Sequence, residues 1–559
     1  LRYAMRFLKP HIFLFFLTTL LICVGCNKCS TNNETPTVLV VLPEKVNEDV
    51  TELLKKQLSD FDTTKTIFID NDSLVATQLI VEFYKKNDFT GVWSDKGVYN
   101  KQCDSLLTIL KNAEDFGLLA KDYHFSKIDS LIKTEKDTTT QKFDAVKIEK
   151  AEILLTDAFF TFAVHVSKGR LDVDSIQKRW NIDKVNINLP DVLTDALKKN
   201  SIQTVIDTIQ PKEIQYHDLK LALKNFREEF HTSNWDSLAS RESDSLTFND
   251  RLKKRLIASH DYNDTSSFSD SIKLANAIKF FQQHHNLNDD GKMGKLTFQA
   301  MQNTKTDYIH QIEMNMERWR IYRYPTDKQF VFVNIPKFEM RVIEEDTMVM
   351  ESRVIVGQPD HKTPLLKSTI RYFLIYPYWN VPFSIATKEI LPILKRDTSY
   401  LRRKNFDVLD GYGEIVTKPI TWKRYSKTYF PFRLRQRMGD DNSLGILKFN
   451  FENKYGVYMH DTDSRRLFKR EMRALSHGCV RLEKFIDFAK FLIRDDSVKY
   501  PFDSLKIDLL KEEQKYKYIK HPLPIYINYF TAEVNKQNEL LFFMDVYRRD
   551  EKMLEVLGY

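Results

Sequence analysis

The residues best suited to covalent chemistry are Ser476-His477-Gly478-Cys479-Val480-Arg481, with a second histidine, His460, nineteen residues upstream of the cysteine. The thiolate is the reactive form of cysteine, and a neighbouring imidazole both lowers the thiol pKa and shuttles the proton. Gly478 removes a side chain beside the sulfur, so a substrate carbonyl can approach backbone N–H groups able to stabilise an oxyanion. The N–H groups of Gly478 and Cys479 are the candidates. Acyl transfer through a thioester follows, with Cys479 as nucleophile and His460 as base. His477, the adjacent histidine, orients the loop or adds a donor to the oxyanion site. Nineteen residues is too far for one helix face, so tertiary structure must return His460 to the sulfur.

Tyr458-Met459-His460-Asp461-Thr462, a loop, and then Ser476 to Arg481 resemble the signature of L,D-transpeptidases with a YkuD-type catalytic domain. The resemblance implies an enzyme that cross-links peptidoglycan, with a tetrapeptide stem as donor and a 3→3 bond as product. It also implies acylation of the thiol by carbapenems. Tyr458 shares a strand face with His460, and it is expected with Trp379, Arg481 and Ser476 to bind substrate. Trp379, within Tyr376-Pro377-Tyr378-Trp379-Asn380, lines the substrate groove or packs in the core. Arg481 holds a substrate carboxylate or braces the cysteine loop. No cofactor or metal is expected. Two other readings share these residues: a cysteine-dependent wall carboxypeptidase or endopeptidase, in which water resolves the thioester, and a non-catalytic peptidoglycan-binding scaffold.

The positioning elements read as an α+β multidomain chain. At 559 residues it exceeds a single core. Residues 66–245 carry helical apolar spacing, as in Ile153, Leu154, Ala158, Phe159 and Phe162. This stretch resembles the helical scaffold of the large periplasmic YcbB-like enzymes. Residues 246–305 resemble a small three-helix peptidoglycan-binding domain, with Leu274, Ile278 and Phe281 at helical spacing before Asp290-Gly291. His284 and His285 are adjacent, so on a helix they point in different directions and make a poor metal pair. A linking helix is expected over 306–324. From 325 to 559 the period switches to strand, as in Phe338, Met340 and Val342, or Leu447, Phe449 and Phe451. The aromatic insertion at 382–442 corresponds to the capping subdomain of the resembling enzymes.

The N-terminus reads as an export signal over 1–26: Arg6 and Lys9 precede an apolar run from Ile12 to Gly25. The chain opens on Leu1, and Met5 is the expected start. Cys23-Val24-Gly25-Cys26 resembles a lipobox, departing from it at Cys23 where the pattern has Leu; Cys26 is the expected lipidation site, with a retained N-terminal anchor and simple secretion as the alternatives. Residues 27–65 are polar and read as a tether. Of five cysteines only Cys103 and Cys479 fall in the folded body. That suits an exported enzyme with one free thiol. The 85 basic and 77 acidic residues are interspersed, which excludes a nucleic-acid footprint. The expected setting is the periplasm of a Gram-negative-type bacterium. A membrane-tethered monomer would there meet stem peptides and glycan.

Overall fold

The computed structural model describes residues 38–61, 66–136, 142–171, 187–231, 235, 238, 248–262, 269–322, 327–501 and 503–559. The expected signal and lipidation site at Cys26 lie outside them. Among the described residues no helix is long and apolar enough to cross a membrane.

The N-terminal half is helical and organised around one long helix, Ala145–Lys168. It is apolar on nearly every side, as a helix enclosed by others must be, and helices Pro43–Leu58, Thr77–Lys86 and Phe125–Lys136 pack on it. The first of these corrects the expected tether. Val46, Val50, Leu53, Leu54 and Leu58 recur at helical spacing and are buried in this core. The charged residues between them dominate the composition but occupy only the solvent side.

Helices Phe248–Ala258, Asp270–His284 and Lys295–Ala300 form a small unit around Leu252, Leu256, Ile278, Phe281 and Met301. His284 pairs with Asp261 at 3.2 Å, whereas His285 stacks on Phe281 with ring centroids 3.8 Å apart. Burial pushes the His285 pKa down to about 4, so this half-buried histidine is neutral at physiological pH. The unit also touches the C-terminal region: the Asn288 N–H donates to Glu471 Oε1 at 2.8 Å, and the Asn286 amide donates to the Lys337 carbonyl at 3.0 Å.

The helix Lys305–Ile321 then runs through the middle of the molecule, opened by a Thr304–Asp307 capping box. Beyond it lies a nine-stranded mixed sheet. In spatial order its strands are Ala474–Ser476, Thr347–Gly357, Val480–Leu482, Met459–His460, Leu447–Phe451, Leu366–Ile375, Lys515–Asn528, Gln329–Asn334 and Glu339–Glu344. Glu339–Glu344 also pairs with Thr347–Gly357, so the sheet closes on itself and leaves few exposed edges. Val331, Val354, Phe373, Phe449, Met459 and Val480 fill one face, against helix Phe485–Ile493.

The aromatic insertion folds around its own small core, which includes Ile390, Leu394, Phe406, Trp422, Phe430 and Leu434. It is joined to the sheet domain by a three-stranded ribbon of Trp379–Asn380, Arg433–Gln436 and Phe406–Leu409.

Candidate functional site

Strand alternation builds the site. Met459 pairs with Val480 and His460 with Arg481 in parallel register. Met459 and Val480 are fully buried in the core, so Tyr458, His460, Cys479 and Arg481 all project from the opposite face. They open into a cleft of about 690 Å³ whose far wall is the aromatic insertion, including Ile385, Glu389 and Tyr400. The long-range return that His460 needed is this single parallel strand pair.

The cysteine loop is held from behind. Gly478 has φ +113°, a backbone conformation that L side chains rarely adopt. The Ser476 hydroxyl accepts the Gly478 N–H at 3.1 Å and donates to the Cys479 carbonyl at 2.5 Å. Thr363 Oγ1 donates to the Gly478 carbonyl at 2.9 Å and accepts the Gly357 N–H at 2.8 Å. Gly357 tolerates no side chain, because a Cβ there would stand 2.1 Å from the His361 carbonyl oxygen and 3.0 Å from Gly478 Cα. Ser476, expected to bind substrate, is buried with its hydroxyl spent on the loop. The Gly478 N–H, expected at the oxyanion site, is likewise engaged inside the loop in this conformation.

His460 is anchored through its neighbour. The Asp461 carboxylate is fully buried, accepts Nε and Nη2 of Arg465 at 3.0 and 2.6 Å, and accepts the Ile446 N–H at 3.0 Å. His460 itself is buried, and its Nδ1 lacks a well-formed hydrogen bond. Burial, with Arg481 adding to it, pushes its pKa down to about 3, so the imidazole is neutral at physiological pH. Cys479 is half-buried, and burial pushes its thiol up. Tyr458, Lys448 and Arg481 all act in the other direction, favouring the thiolate. A neutral thiol and a neutral imidazole, both lining the one cleft, are therefore the resting state.

His477 turns away from this pair. It is exposed, with Nε2 2.8 Å from Glu389 Oε1 on the insertion and its ring 5.3 Å from that of His361. Trp379 is half-buried and lines the cleft beside Tyr458. Arg481 Nε is buried without a partner, and no carboxylate lies within ion-pair distance of the guanidinium among the described residues. It does not brace the loop through hydrogen bonds.

Lys448 escaped the sequence reading. It is the register partner of His460 and lines the cleft, with its Nζ 3.9 Å from the Tyr458 ring centroid. The signal was present in Leu447-Lys448-Phe449-Asn450-Phe451, whose polar members alternate with the apolar ones on the opposite face. The polar face is the one the cleft occupies.

Comparison with known proteins adds names to these parts. Residues 78–223 match a scaffold domain, 251–301 a "Putative peptidoglycan binding domain" and 328–499 an L,D-transpeptidase catalytic domain of YkuD type. A protein of Haemophilus influenzae named "Putative L,D-transpeptidase" is 31% identical over 250 residues, 44% of this chain. The match spans only half of that relative's length. The crystal structure of an L,D-transpeptidase (Yku) from Stackebrandtia nassauensis covers 52% of this chain and 96% of its own, at 16% identity and a TM-score of 0.21. That superposition is too loose to bear on the fold. The chain thus carries, in order, a scaffold domain, a peptidoglycan-binding domain and a catalytic domain of the YkuD L,D-transpeptidase family.

Proposed function

We propose that the protein forms 3→3 peptidoglycan cross-links through a thioester on Cys479. The observation that carries this is the projection of Cys479 and His460 from paired parallel strands into one cleft, with Lys448 and Arg481 beside them. The Cys479 sulfur attacks the carbonyl joining residues three and four of a tetrapeptide stem while neutral His460 takes the thiol proton. Lys448 and Arg481 favour the thiolate as it forms. The tetrahedral oxyanion collapses, the C–N bond breaks, and the imidazolium gives its proton to the departing D-amino acid. The side-chain amine of a second stem then attacks the thioester, His460 takes the amine proton, and the sulfur leaves as the thiol is restored.

Arg481, unpaired and half-buried, suits a donor carboxylate. The Cys479 N–H is the candidate oxyanion donor, because that of Gly478 is already engaged by Ser476. Trp379 and Tyr458 supply apolar walls. A wall substrate requires a location outside the cytoplasm, with Cys26 as the proposed lipid anchor.

The decisive test combines purified protein with disaccharide-tetrapeptides. Cys479→Ala should abolish the 3→3 dimer with the fold intact by circular dichroism, and retained dimer would overturn the mechanism. His460→Ala should slow acylation by roughly 10²–10⁴-fold. A carbapenem should add one drug mass to the wild type and none to Cys479→Ala. A disaccharide-tripeptide formed in place of the dimer would assign the protein to the carboxypeptidases.

A further inference from the structure

On the face that carries Cys479, the strand register lines up side chains in two rows across five neighbouring strands. In one, Arg481 pairs with His460, His460 with Lys448, Lys448 with Leu374 and Leu374 with Tyr516. Two residues along each strand runs the second row: Cys479, Tyr458, Asn450, Tyr372 and Tyr518, with Asn450–Tyr372 and Tyr372–Tyr518 as direct partners. The cleft covers the first half of both rows. The second half is open: Tyr516 and Tyr518 are 50% and 54% exposed.

The three tyrosines form one platform. Ring centroids are 5.7 Å apart for Tyr372–Tyr516, 5.4 Å for Tyr372–Tyr518 and 6.4 Å for Tyr516–Tyr518, the last pair near-parallel at 18°. The Asn450 amide donates to the Tyr372 hydroxyl at 2.8 Å. Chemistry therefore changes along the rows, from nucleophile and cations in the cleft to flat rings, hydroxyls and an amide outside it.

We propose that this tyrosine platform binds the sugar rings of the glycan whose stem peptide occupies the cleft, a reading that rests on the acyl donor proposed above. Length supports this occupant. Strands lie about 4.8 Å apart, so Tyr372 is about 14 Å and Tyr518 about 19 Å across the sheet from Cys479. The three extended residues that lead to the reacting carbonyl span about 10–11 Å. A peptide with that carbonyl at the sulfur thus places the start of its sugar at the near edge of the tyrosines, with the glycan continuing over them. The apolar faces of sugar rings stack on aromatic rings, while their hydroxyls meet the phenol and amide rims. A second copy of the chain suits the platform poorly. Three tyrosines offer roughly 200–400 Å², against about 800 Å² per partner in a stable interface.

The test compares two ligands on the full chain carrying Cys479→Ala, so that binding is read without turnover. Calorimetry gives the Kd of disaccharide-tetrapeptide and of free tetrapeptide. The sugar-bearing ligand should bind about tenfold tighter. Tyr516→Ser/Tyr518→Ser should collapse that ratio toward one, and Tyr516→Phe/Tyr518→Phe, which keeps the stacking faces, should restore most of it. An unchanged ratio in the serine variant overturns the platform, as does a dimer in sedimentation that the serine variant abolishes. A collapsed ratio in a protein whose wild type makes no thioester would support the platform and overturn the proposed reaction, so the two fail separately.

Discussion

Around the Lys305–Ile321 helix, buried charges meet opposite charges. Arg318 faces Asp550, whose other oxygen accepts the Thr531 hydroxyl at 2.6 Å. Arg320 pairs with Glu317 at 3.2 Å, and Glu313 with Arg227 at 2.6 Å. Glu317 also accepts the backbone N–H of Leu171 at 3.0 Å, tying the helix to the end of the scaffold. In the cleft the opposite holds. Arg481 and Lys448 have no carboxylate within ion-pair distance among the described residues, and His460 Nδ1 lacks a well-formed bond. Desolvating a charge costs free energy that a partner offsets. The helix offsets it within the chain and thereby locks three parts of the molecule together. The cleft leaves it standing, and a reacting sulfur or an incoming carboxylate can supply the missing partner.

The contrast is open to direct attack. Asp550→Ala strands the Arg318 guanidinium and should destabilise the fold by about 3–5 kcal/mol in urea unfolding, with the alkylation rate of Cys479 unchanged in the folded fraction. A loss of alkylation without a loss of stability would erase the distinction between the two regions.

Glu149 offers a control: a buried carboxyl in the scaffold, outside the cleft that holds Cys479, with one oxygen unpartnered. Burial pushes its pKa up to about 7. A raised carboxyl pKa gives stability that is complete below the ordinary carboxylate range and is lost as pH rises through about 7. Glu149→Gln should therefore be more stable than the parent at pH 8 by roughly 1–3 kcal/mol, with the gain vanishing near pH 4. A pH-independent difference would show that the carboxyl has a partner after all.

The smallest expected effect sharpens the cleft side. Lys448→Met removes a half-buried cation that favours the Cys479 thiolate. The thiol pKa should rise further and alkylation near pH 7.5 should fall by about tenfold, with the melting temperature held or raised. Unaltered alkylation against pH would assign Lys448 to packing on Tyr458.

Both short motifs were legible because their information is local. A cysteine, a glycine in a turn and a histidine at fixed spacing are visible in any linear reading. Strand alternation in Leu447 to Phe451 and helical spacing in Ile153 to Phe162 were equally plain, since both periods follow from backbone geometry. The helix Pro43–Leu58 carried the same kind of signal, but charged residues between its apolar positions made it resemble a tether. What no linear reading supplies is the order of strands. Which face of Leu447–Phe451 opens into the cleft depends on Met459–His460 lying beside it, and that pairing depends on a parallel return from Val480–Leu482. The same holds for Arg318, Arg320, Glu313 and Glu317. Four charged side chains on one helix read as solvent-facing until the segments that cover them are in place. Sequence sets residue types and local periods, whereas the partner of each buried charge and the neighbour of each strand are settled only when distant segments meet.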